Sequence, residues 1–272
     1  MKTIFITGAS SGLGKTAAKL FHGKGWNVIA TMRNPEKETE LNKLENLILL
    51  KMDLNRPDEV TEAVNDAIAG GQIDLVLNNA GYGLTGPFEA YSQEQIASQI
   101  DTNLMGVLRV AQPFVRYFRE NKIKGLFITV TSAVAIAASP LASVYTATKY
   151  ALEGWSEGMN YDLDAFGIRF KTVAPGGIKT NFGGSSLVLE QHPAYQPLWD
   201  KMMEGFQNGS LIHFSEPEEI AAVIYEAATD GKDQQKYAAG KDAVAASEKR
   251  DALGFEAHRK EIIKQFKAGP AV

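Results

Sequence analysis

Cysteine is absent from this 272-residue sequence. Its absence excludes disulfide bonds, thiolate nucleophiles and cysteine-ligated metal sites, and it leaves the redox compartment of the protein undetermined. Histidine is scarce as well, and its positions are His22, His192, His213 and His258. Because these four are too scattered to suggest a ligand cluster, no metal site is predicted.

A long apolar run near the amino terminus is also missing. The first apolar run, residues 2–7, ends at once in Gly8 and is far too short for a signal-peptide core or a membrane span. We therefore expect no membrane partner, with a cytoplasmic location as the default.

No block of basic residues occurs along the chain. The 28 Lys and Arg are spread out and outnumbered by 32 Asp and Glu, which gives a net charge of -4 and argues against a nucleic-acid partner. With 44% hydrophobic and 22% charged residues, the composition is that of an ordinary globular protein. The length fits one α/β domain that spans residues 1–272.

Short apolar runs alternate with amphipathic stretches. The apolar runs are residues 4–6, 28–30, 47–50, 75–77, 126–130 and 170–173. Helical periodicity is found in residues 15–23, 57–69, 93–118 and 145–166. Runs that are apolar on both faces fit parallel strands joined by crossover helices. The pattern predicts an α/β fold, a Rossmann-type doubly wound parallel sheet in three layers (α/β/α) within a single domain.

A glycine-rich turn follows the first predicted strand. Residues 7–14 read T-G-A-S-S-G-L-G and lead into a helix, with glycines at Gly8, Gly12 and Gly14. Such a turn needs positions without side chains so that the backbone and the helix amino terminus can approach a pyrophosphate. A lone glycine-rich turn is weak evidence, but this one opens a strand-helix-strand unit.

The spacing of these glycines resembles the short-chain dehydrogenase/reductase family, whose T-G-x-x-x-G-x-G motif matches residues 7–14 throughout. The N-N-A-G of residues 78–81 matches the family motif that supports the sheet and lines the adenosine side of the cofactor site. Asp53 and Leu54 match the positions that family members place near the adenine ring. The resemblance covers about the first 180 residues and implies a nicotinamide dinucleotide cofactor.

The end of the second predicted strand bears on the choice of cofactor. A site for NAD places an acid there for the ribose 2′-hydroxyl, whereas a site for NADP supplies a cation for the 2′-phosphate. Met32 stands at the position of the acid, Arg33 follows it, and Ser11 adds a hydroxyl donor. We predict a preference for NADP(H) over NAD(H), with a solvated surface role for Arg33 as the alternative.

Four polar residues form the predicted catalytic set. Tyr145 and Lys149 stand at i and i+4 on one helical face, where the ammonium favours the phenolate. Ser132 comes just past the fifth predicted strand, where open α/β sheets gather ligand contacts. By resemblance, Ser132 holds the substrate oxygen, Tyr145 exchanges its proton, Lys149 also binds the nicotinamide ribose, and Asn103 holds a water on the proton relay.

The P-G-x-x-x-T motif of residues 175–180 completes the resemblance, in which the backbone around Ile178 and the hydroxyl of Thr180 bind the carboxamide. The implied cofactor-binding set is Gly8, Ser10, Ser11, Gly12, Leu13, Gly14, Arg33, Asp53, Leu54, Asn79, Ala80, Gly81, Tyr145, Lys149, Pro175, Gly176, Ile178 and Thr180.

The function implied is an NADP(H)-dependent oxidoreductase of the class that acts on CH–OH donors. It interconverts an apolar ketone or aldehyde, as a small-molecule substrate, with its alcohol. An NAD-preferring alcohol dehydrogenase and a non-catalytic NADP-binding redox sensor are the alternatives, and a sensor need not retain all four polar residues. A sugar-nucleotide epimerase of an extended relative usually carries a different glycine spacing.

Two later segments are predicted separately. By resemblance, residues 180–214 form a substrate lid, whose apolar side chains either line the site or pack against the body. These side chains are Phe182, Leu187, Leu189, Trp199, Met202 and Phe206. A helix is predicted to begin with Ser215 as its N-cap, and residues 242–266 form a helical C-terminal extension. A homo-oligomer, dimer or tetramer, is expected. The extension departs from shorter relatives, whose tail often completes a tetramer interface, so a dimer or a monomer is left open beside the tetramer.

Overall fold

Strands and helices alternate along the chain, whose structure is a computed structural model that describes residues 1–180 and 186–267. The strands are β1 (Thr3–Ile6), β2 (Asn27–Met32), β3 (Leu47–Lys51), β4 (Leu75–Asn78), β5 (Gly83–Thr85), β6 (Leu126–Val130), β7 (Arg169–Pro175), β8 (Leu187–Leu189) and β9 (Lys236–Ala239). The α-helices are α1 (Gly12–Gly23), α2 (Pro57–Ala69), α3 (Gln93–Ile100), α4 (Gly106–Glu120), α5 (Ser143–Leu163), α6 (Gln196–Gln207), α7 (Pro217–Thr229) and α8 (Lys241–Gln265).

Seven parallel strands form the central sheet in the order β3-β2-β1-β4-β6-β7-β9. The strand order reverses between β1 and β4, where Ile6 pairs with both Ala30 and Leu77. At such a reversal the loops on either side diverge and leave a crevice at the carboxyl ends of the strands. The predicted doubly wound parallel sheet is confirmed, and its crevice lies beside the glycine-rich turn.

Helices cover both faces of the sheet. On one face α1 and α7 pack over β1, β2 and β6, and Phe21 contacts the rings of Trp26 and Tyr225 at centroid distances of 5.1 and 5.2 Å. On the other face α2, α4 and α5 enclose a cluster in which Phe127 stacks on Phe170 at 4.4 Å. Two buried apolar layers therefore hold the sheet between helices, and the predicted three-layer domain is confirmed.

The prediction of one helix over residues 93–118 is wrong in one respect. A π-helical segment, Asp101–Met105, separates α3 from α4. Such a segment inserts one extra residue per turn and rotates the side chains that follow, which a period of 3.6 residues cannot reveal. Asn103 is part of this π-helical segment.

The carboxyl-terminal part differs from the sequence prediction in three ways. β9 was not predicted, because its sequence K-Y-A-A is short and has little β-branched character. The N-cap of α7 is Glu216 and not Ser215, since Ser215 pairs in a β-bridge with Ile178 instead. The predicted extension is helical, but Gly254 (φ 69°, ψ 174°) interrupts it.

The predicted lid is held at its start by a strand. β8 pairs in parallel with β5, so that Leu187 lies opposite Gly83 and Leu189 opposite Thr85. Phe182 falls outside the described residues. Over the two described ranges, no helix combines the length and the apolar character needed to cross a membrane.

Candidate active site

The glycine-rich turn is shaped by close backbone contacts. Gly8 has φ of +69°, and a Cβ there would lie 2.8 Å from Ala80. A Cβ on Gly14 would collide with the carbonyl of Gly8 and the side-chain amide of Asn79. Because only glycine fits these positions, the turn after β1 packs directly on the loop after β4.

Side chains of both loops fix this packing. The hydroxyl oxygen of Thr7 accepts hydrogen bonds from the backbone N–H groups of Asn79 and Ala80, each at 3.0 Å. The amide of Asn79 donates to the carbonyls of Thr7 at 3.0 Å and Gly8 at 3.1 Å. Asn79 therefore holds the glycine-rich turn against the loop after β4. Thr7 is a second residue that joins these two loops, and the sequence did not assign it this role.

The amino terminus of α1 suits an anion. Ser11 is its N-cap, yet the side chain makes no capping bond and no acidic residue stands in the first turn. The first N–H groups of a helix lack intrahelical partners and carry the positive end of the helix dipole. Ser10 and Ser11 are exposed beside them, whereas Leu13 is buried in the core. These residues fit the pyrophosphate of a dinucleotide, because backbone N–H groups and two exposed hydroxyls lie together at the amino terminus of α1.

The loop after β7 faces the glycine-rich turn. A Cβ on Gly12 would lie 3.4 Å from Thr180, so residues 175–180 come close to residues 8–14. Gly176 N donates to Ala239 O at 3.0 Å, and Ser215 pairs with the loop through its backbone. The carboxylate of Asp242 accepts from Gly177 N at 2.8 Å.

Asp242 was missed as a site residue in the sequence. The sequence marks it only as an acid at the start of a predicted helix, which is common for reasons of helix stability alone. The structure shows that α8 is bound through this carboxylate to the loop of residues 175–180.

The ends of β2 and β3 lie side by side. Met32 is buried, Arg33 is exposed, and Arg33 makes no ion pair with any described residue. Asp53 Oδ1 accepts from Asn55 N at 3.0 Å. Leu54 is buried, and its carbonyl accepts from Arg109 at 3.0 Å. The exposed guanidinium of Arg33 thus stands at the carboxyl edge of the sheet, without a partner in residues 1–180 or 186–267.

Ser132 and Tyr145 meet across the end of β6. Ser132 is the second residue after β6, and its hydroxyl oxygen accepts a hydrogen bond from Val134 N at 3.3 Å. Tyr145 lies in the first turn of α5, and its phenol interacts with the Ser132 side chain. Lys149 lies one turn further, with Nζ 5.7 Å from the Tyr145 ring centroid and 2.9 Å from Val130 O. The structure therefore brings all three side chains to one place.

Burial governs the protonation of this group. Burial raises the pKa of the Tyr145 phenol, and the hydrogen bond with Ser132 partly opposes the rise. Burial lowers the pKa of Lys149 to about 8, and the nearby Glu153 carboxylate partly opposes that fall. The expectation that the ammonium lowers the pKa of Tyr145 is thus not met, because desolvation outweighs it. Near neutral pH the site holds a protonated phenol beside a charged ammonium.

Asn103 is buried in the π-helical segment and joins the same group. Its Oδ1 accepts from Tyr82 N at 3.0 Å, and its Nδ2 donates to Tyr82 O at 2.8 Å. Nδ2 also lies 3.4 Å from the hydroxyl of Thr148, which precedes Lys149. A Cβ on Gly81 would lie 3.1 Å from Asn103 and 3.7 Å from Lys149 Nζ. Oδ1 keeps one lone pair with which to bind a further donor.

The predicted lid side chains are not all placed alike. Met202 is buried, whereas Leu187, Trp199 and Phe206 are partly buried and Leu189 is 49% exposed. Within residues 1–180 and 186–267 there is no group of three or more potential metal ligands.

Comparison with known proteins adds a family and a fold. A family model described as short chain dehydrogenase matches residues 2–187. An uncharacterized oxidoreductase from Schizosaccharomyces pombe is 33% identical over 236 residues, which cover 85% of this chain and 99% of that protein. A 3-ketodihydrosphingosine reductase from Bacteroides thetaiotaomicron is 33% identical over 188 residues, covering 69% of this chain and 68% of that protein. The crystal structure of a short-chain dehydrogenase from Streptomyces avermitilis has a TM-score of 0.84 at 27% identity and covers 97% of each chain.

Proposed function

This chain belongs to the short-chain dehydrogenase family of oxidoreductases, and from that premise we propose that it is an NADP(H)-dependent enzyme that interconverts an apolar ketone or aldehyde and its alcohol. The observation that carries the proposal is the contact of Ser132, Tyr145 and Lys149 at the carboxyl edge of the sheet, beside the glycine-rich turn. A redox sensor that only binds the dinucleotide has no need of this group.

The cofactor would be held by the residues around the crevice. The amino terminus of α1 and residues 8–14 suit the pyrophosphate, while residues 175–180 stand opposite them for the nicotinamide end. The exposed guanidinium of Arg33, with buried Met32 in place of an acid, favours a 2′-phosphate over a free 2′-hydroxyl. These features support NADP(H) as the preferred cofactor.

When bound, the nicotinamide supplies a hydride to a carbonyl carbon or accepts one from an alcohol carbon. In the reductive direction, Ser132 donates a hydrogen bond to the substrate oxygen as negative charge develops on it. Tyr145 gives its phenolic proton to that oxygen, and the raised pKa of Tyr145 keeps this proton in place near neutral pH. The Lys149 ammonium stabilises the phenolate that remains. A proton then returns to Tyr145 from solvent through Lys149 and a water held by Asn103.

The segment that follows Ser132 supports an apolar substrate. Residues 133–138 read A-V-A-I-A-A, and all but the last are partly buried. Leu189 and Met203 of the predicted lid expose apolar side chains at 49% and 38%. One relative is named for the reduction of 3-ketodihydrosphingosine, which is a ketone on a long alkyl chain. We infer an aliphatic or otherwise apolar carbonyl compound as the substrate class.

The test is a panel of alkyl ketones, aldehydes and secondary alcohols assayed with both cofactors by nicotinamide absorbance. Tyr145→Phe is measured beside Tyr161→Phe, because Tyr161 stands on the same helix and is 73% exposed. We expect Tyr145→Phe to lower kcat by about 10²–10⁴-fold and Tyr161→Phe to leave it unchanged. Turnover that survives in Tyr145→Phe would refute the assignment, and binding of NADPH without turnover of any compound would favour the sensor.

A further inference from the structure

A buried carboxylate lies behind the catalytic group. Glu153 stands on α5 one helical turn beyond Lys149 and is only 8% exposed. Its Oε1 accepts a hydrogen bond from the Thr131 hydroxyl at 2.6 Å, and its Oε2 accepts one from the Thr172 hydroxyl at 2.9 Å. A buried carboxyl group is costly unless it is paired, so its position needs an explanation beyond packing.

The two threonines lie just past β6 and within β7, the strands that lead to the site. Thr131 directly precedes Ser132, and its backbone N–H donates to Val173 O at 2.8 Å. Thr172 lies on β7, which leads into the loop of residues 175–180. Glu153 thus connects α5, which bears Tyr145 and Lys149, to the end of β6 and to the middle of β7 through side-chain hydrogen bonds.

The charges near Glu153 are few. Each carboxylate oxygen is the acceptor for a threonine hydroxyl, and the Thr131 hydroxyl also lies 3.3 Å from Val173 O. Lys236 on β9 approaches Oε2 at 3.9 Å, but its side chain is 59% exposed and it also lies near Glu157. Spacing of i and i+4 puts Glu153 beside Lys149, whose own direct partner is the neutral carbonyl of Val130.

We propose that Glu153 is a positioning residue of this active site, which aligns Ser132 with α5 and supplies the negative charge that keeps Lys149 an ammonium. The proposal rests on the proposed function for its effect on turnover. Other groups that face Lys149 from neighbouring elements are the Tyr145 ring, the Val130 carbonyl and Asn103, and each of these is uncharged near neutral pH. Within the described residues, Glu153 is the one charge that acts on the ammonium.

A pH dependence follows from this arrangement. Burial lowers the pKa of Lys149 to about 8, and the Glu153 carboxylate raises it against that fall. Loss of the carboxylate charge would therefore lower the Lys149 pKa further, so the ammonium would lose its proton at a lower pH. In carbonyl reduction the alkaline limb of the kcat/KM profile, which we assign to Lys149, would move in the same direction.

The experiment compares Glu153→Gln with Glu157→Gln, one turn further along α5, where the carboxylate is about half exposed. The Lys149 ammonium is titrated by ¹⁵N-lysine NMR in cofactor-free protein, with Lys149→Met to identify its resonance. We expect Glu153→Gln to move the titration midpoint and the alkaline limb down by about one pH unit, and Glu157→Gln to move neither.

Two more variants separate charge from packing. Glu153→Asp keeps the charge and should return the midpoint most of the way to that of the wild type. Thr172→Val removes one hydroxyl donor but leaves the carboxylate, so it should lower the melting temperature with the midpoint unmoved. If Glu153→Gln lowers only the melting temperature, the carboxylate is a packing element and the proposal is overturned. The proposal is also overturned if Glu153→Gln fails to fold and Glu153→Asp, which keeps the charge, shifts the Lys149 midpoint by the full unit expected for loss of the charge.

The NMR titration needs no substrate. A shifted midpoint in a protein that turns over no carbonyl compound would uphold the charge relation between Glu153 and Lys149 while the proposed function failed. An unshifted midpoint in an active enzyme would overturn the role of Glu153 and leave the proposed function intact.

Discussion

The proposed catalytic edge and the proposed substrate side of this molecule are built differently. The catalytic edge consists of residues 7–14, 78–82, 103 and 130–149, and its buried polar side chains hydrogen-bond mainly to the backbone of neighbouring segments. Asn103 is 1% exposed and binds Tyr82 through both atoms of its amide. The substrate side consists of residues 186–214, where Leu189 is 49% exposed and β8 is held through backbone pairing with β5.

This difference indicates that the residues proposed for catalysis are constrained by folding, whereas the residues proposed to contact the substrate are free to vary. Backbone pairing holds the position of a segment whatever its side chains are, so apolar residues on the substrate side can change at little cost to folding. Buried polar bonds on the catalytic edge cannot change without leaving groups unsatisfied. We expect substitutions on the catalytic edge to reduce stability or cofactor binding. Substitutions on the substrate side should instead change substrate preference.

The largest effect on stability is expected at Gly14. Gly14→Ala would force a Cβ against the carbonyl of Gly8 and the amide of Asn79, which should destabilise the fold by about 2–3 kcal/mol and weaken cofactor binding. Urea unfolding and NADPH titration measure both. Gly158→Ala is the matched control, since its Cβ would meet nothing within 4 Å and should be neutral or stabilise by about 0.5–1 kcal/mol. Equal changes in unfolding free energy and in NADPH affinity for the two variants would show that the glycine-rich turn is no more constrained than an open helix position.

A smaller effect, confined to the cofactor, is expected at Arg33. Arg33→Ala removes an exposed guanidinium that has no partner among the described residues, so folding should be unaffected. A charged hydrogen bond to a 2′-phosphate would be lost, and KM for NADPH should rise about 10–100-fold while KM for NADH stays the same. Lys37→Ala, also exposed in the turn that follows, controls for general charge. A parallel rise for both cofactors would speak against the preference for NADP(H).

Little effect on stability is expected at Leu189. Leu189→Ser should change the free energy of unfolding by less than about 0.5 kcal/mol, because the side chain is half exposed. It should nevertheless raise KM for ketones, and the rise should grow with the length of the alkyl chain. Ile48→Ser, 52% exposed on β3, provides a control far from the lid. A loss of stability without any dependence on chain length would show that Leu189 belongs to the core.

The fold could be read from the sequence where patterns are local. Apolar runs predicted six of the seven strands of the central sheet, because buried parallel strands are apolar on both faces. β9 could not be predicted, since its K-Y-A-A sequence gains its strand conformation only by pairing with β7. The π-helical segment and the switch of Ser215 from helix cap to β-bridge likewise depend on distant contacts.

The candidate site shows the same division. Motif spacing singled out Ser132, Tyr145 and Lys149, and their common location follows from the sheet topology. Glu153 and Asp242 carry no motif and read as ordinary helix acids, and only the folded chain brings their carboxylates to Thr131 and to Gly177. The direction of the Tyr145 pKa shift also depends on burial, which spacing does not contain.

A double-mutant cycle on Tyr145→Phe and Lys149→Met tests most directly whether these residues act on one proton. Turnover of a ketone from the panel is measured as kcat at saturating NADPH for the wild type, both single variants and the double variant. If the two side chains form one unit, the double variant should lose at most about threefold more than the worse single variant. Losses that simply multiply would show two independent contributions and would contradict the account of this active site.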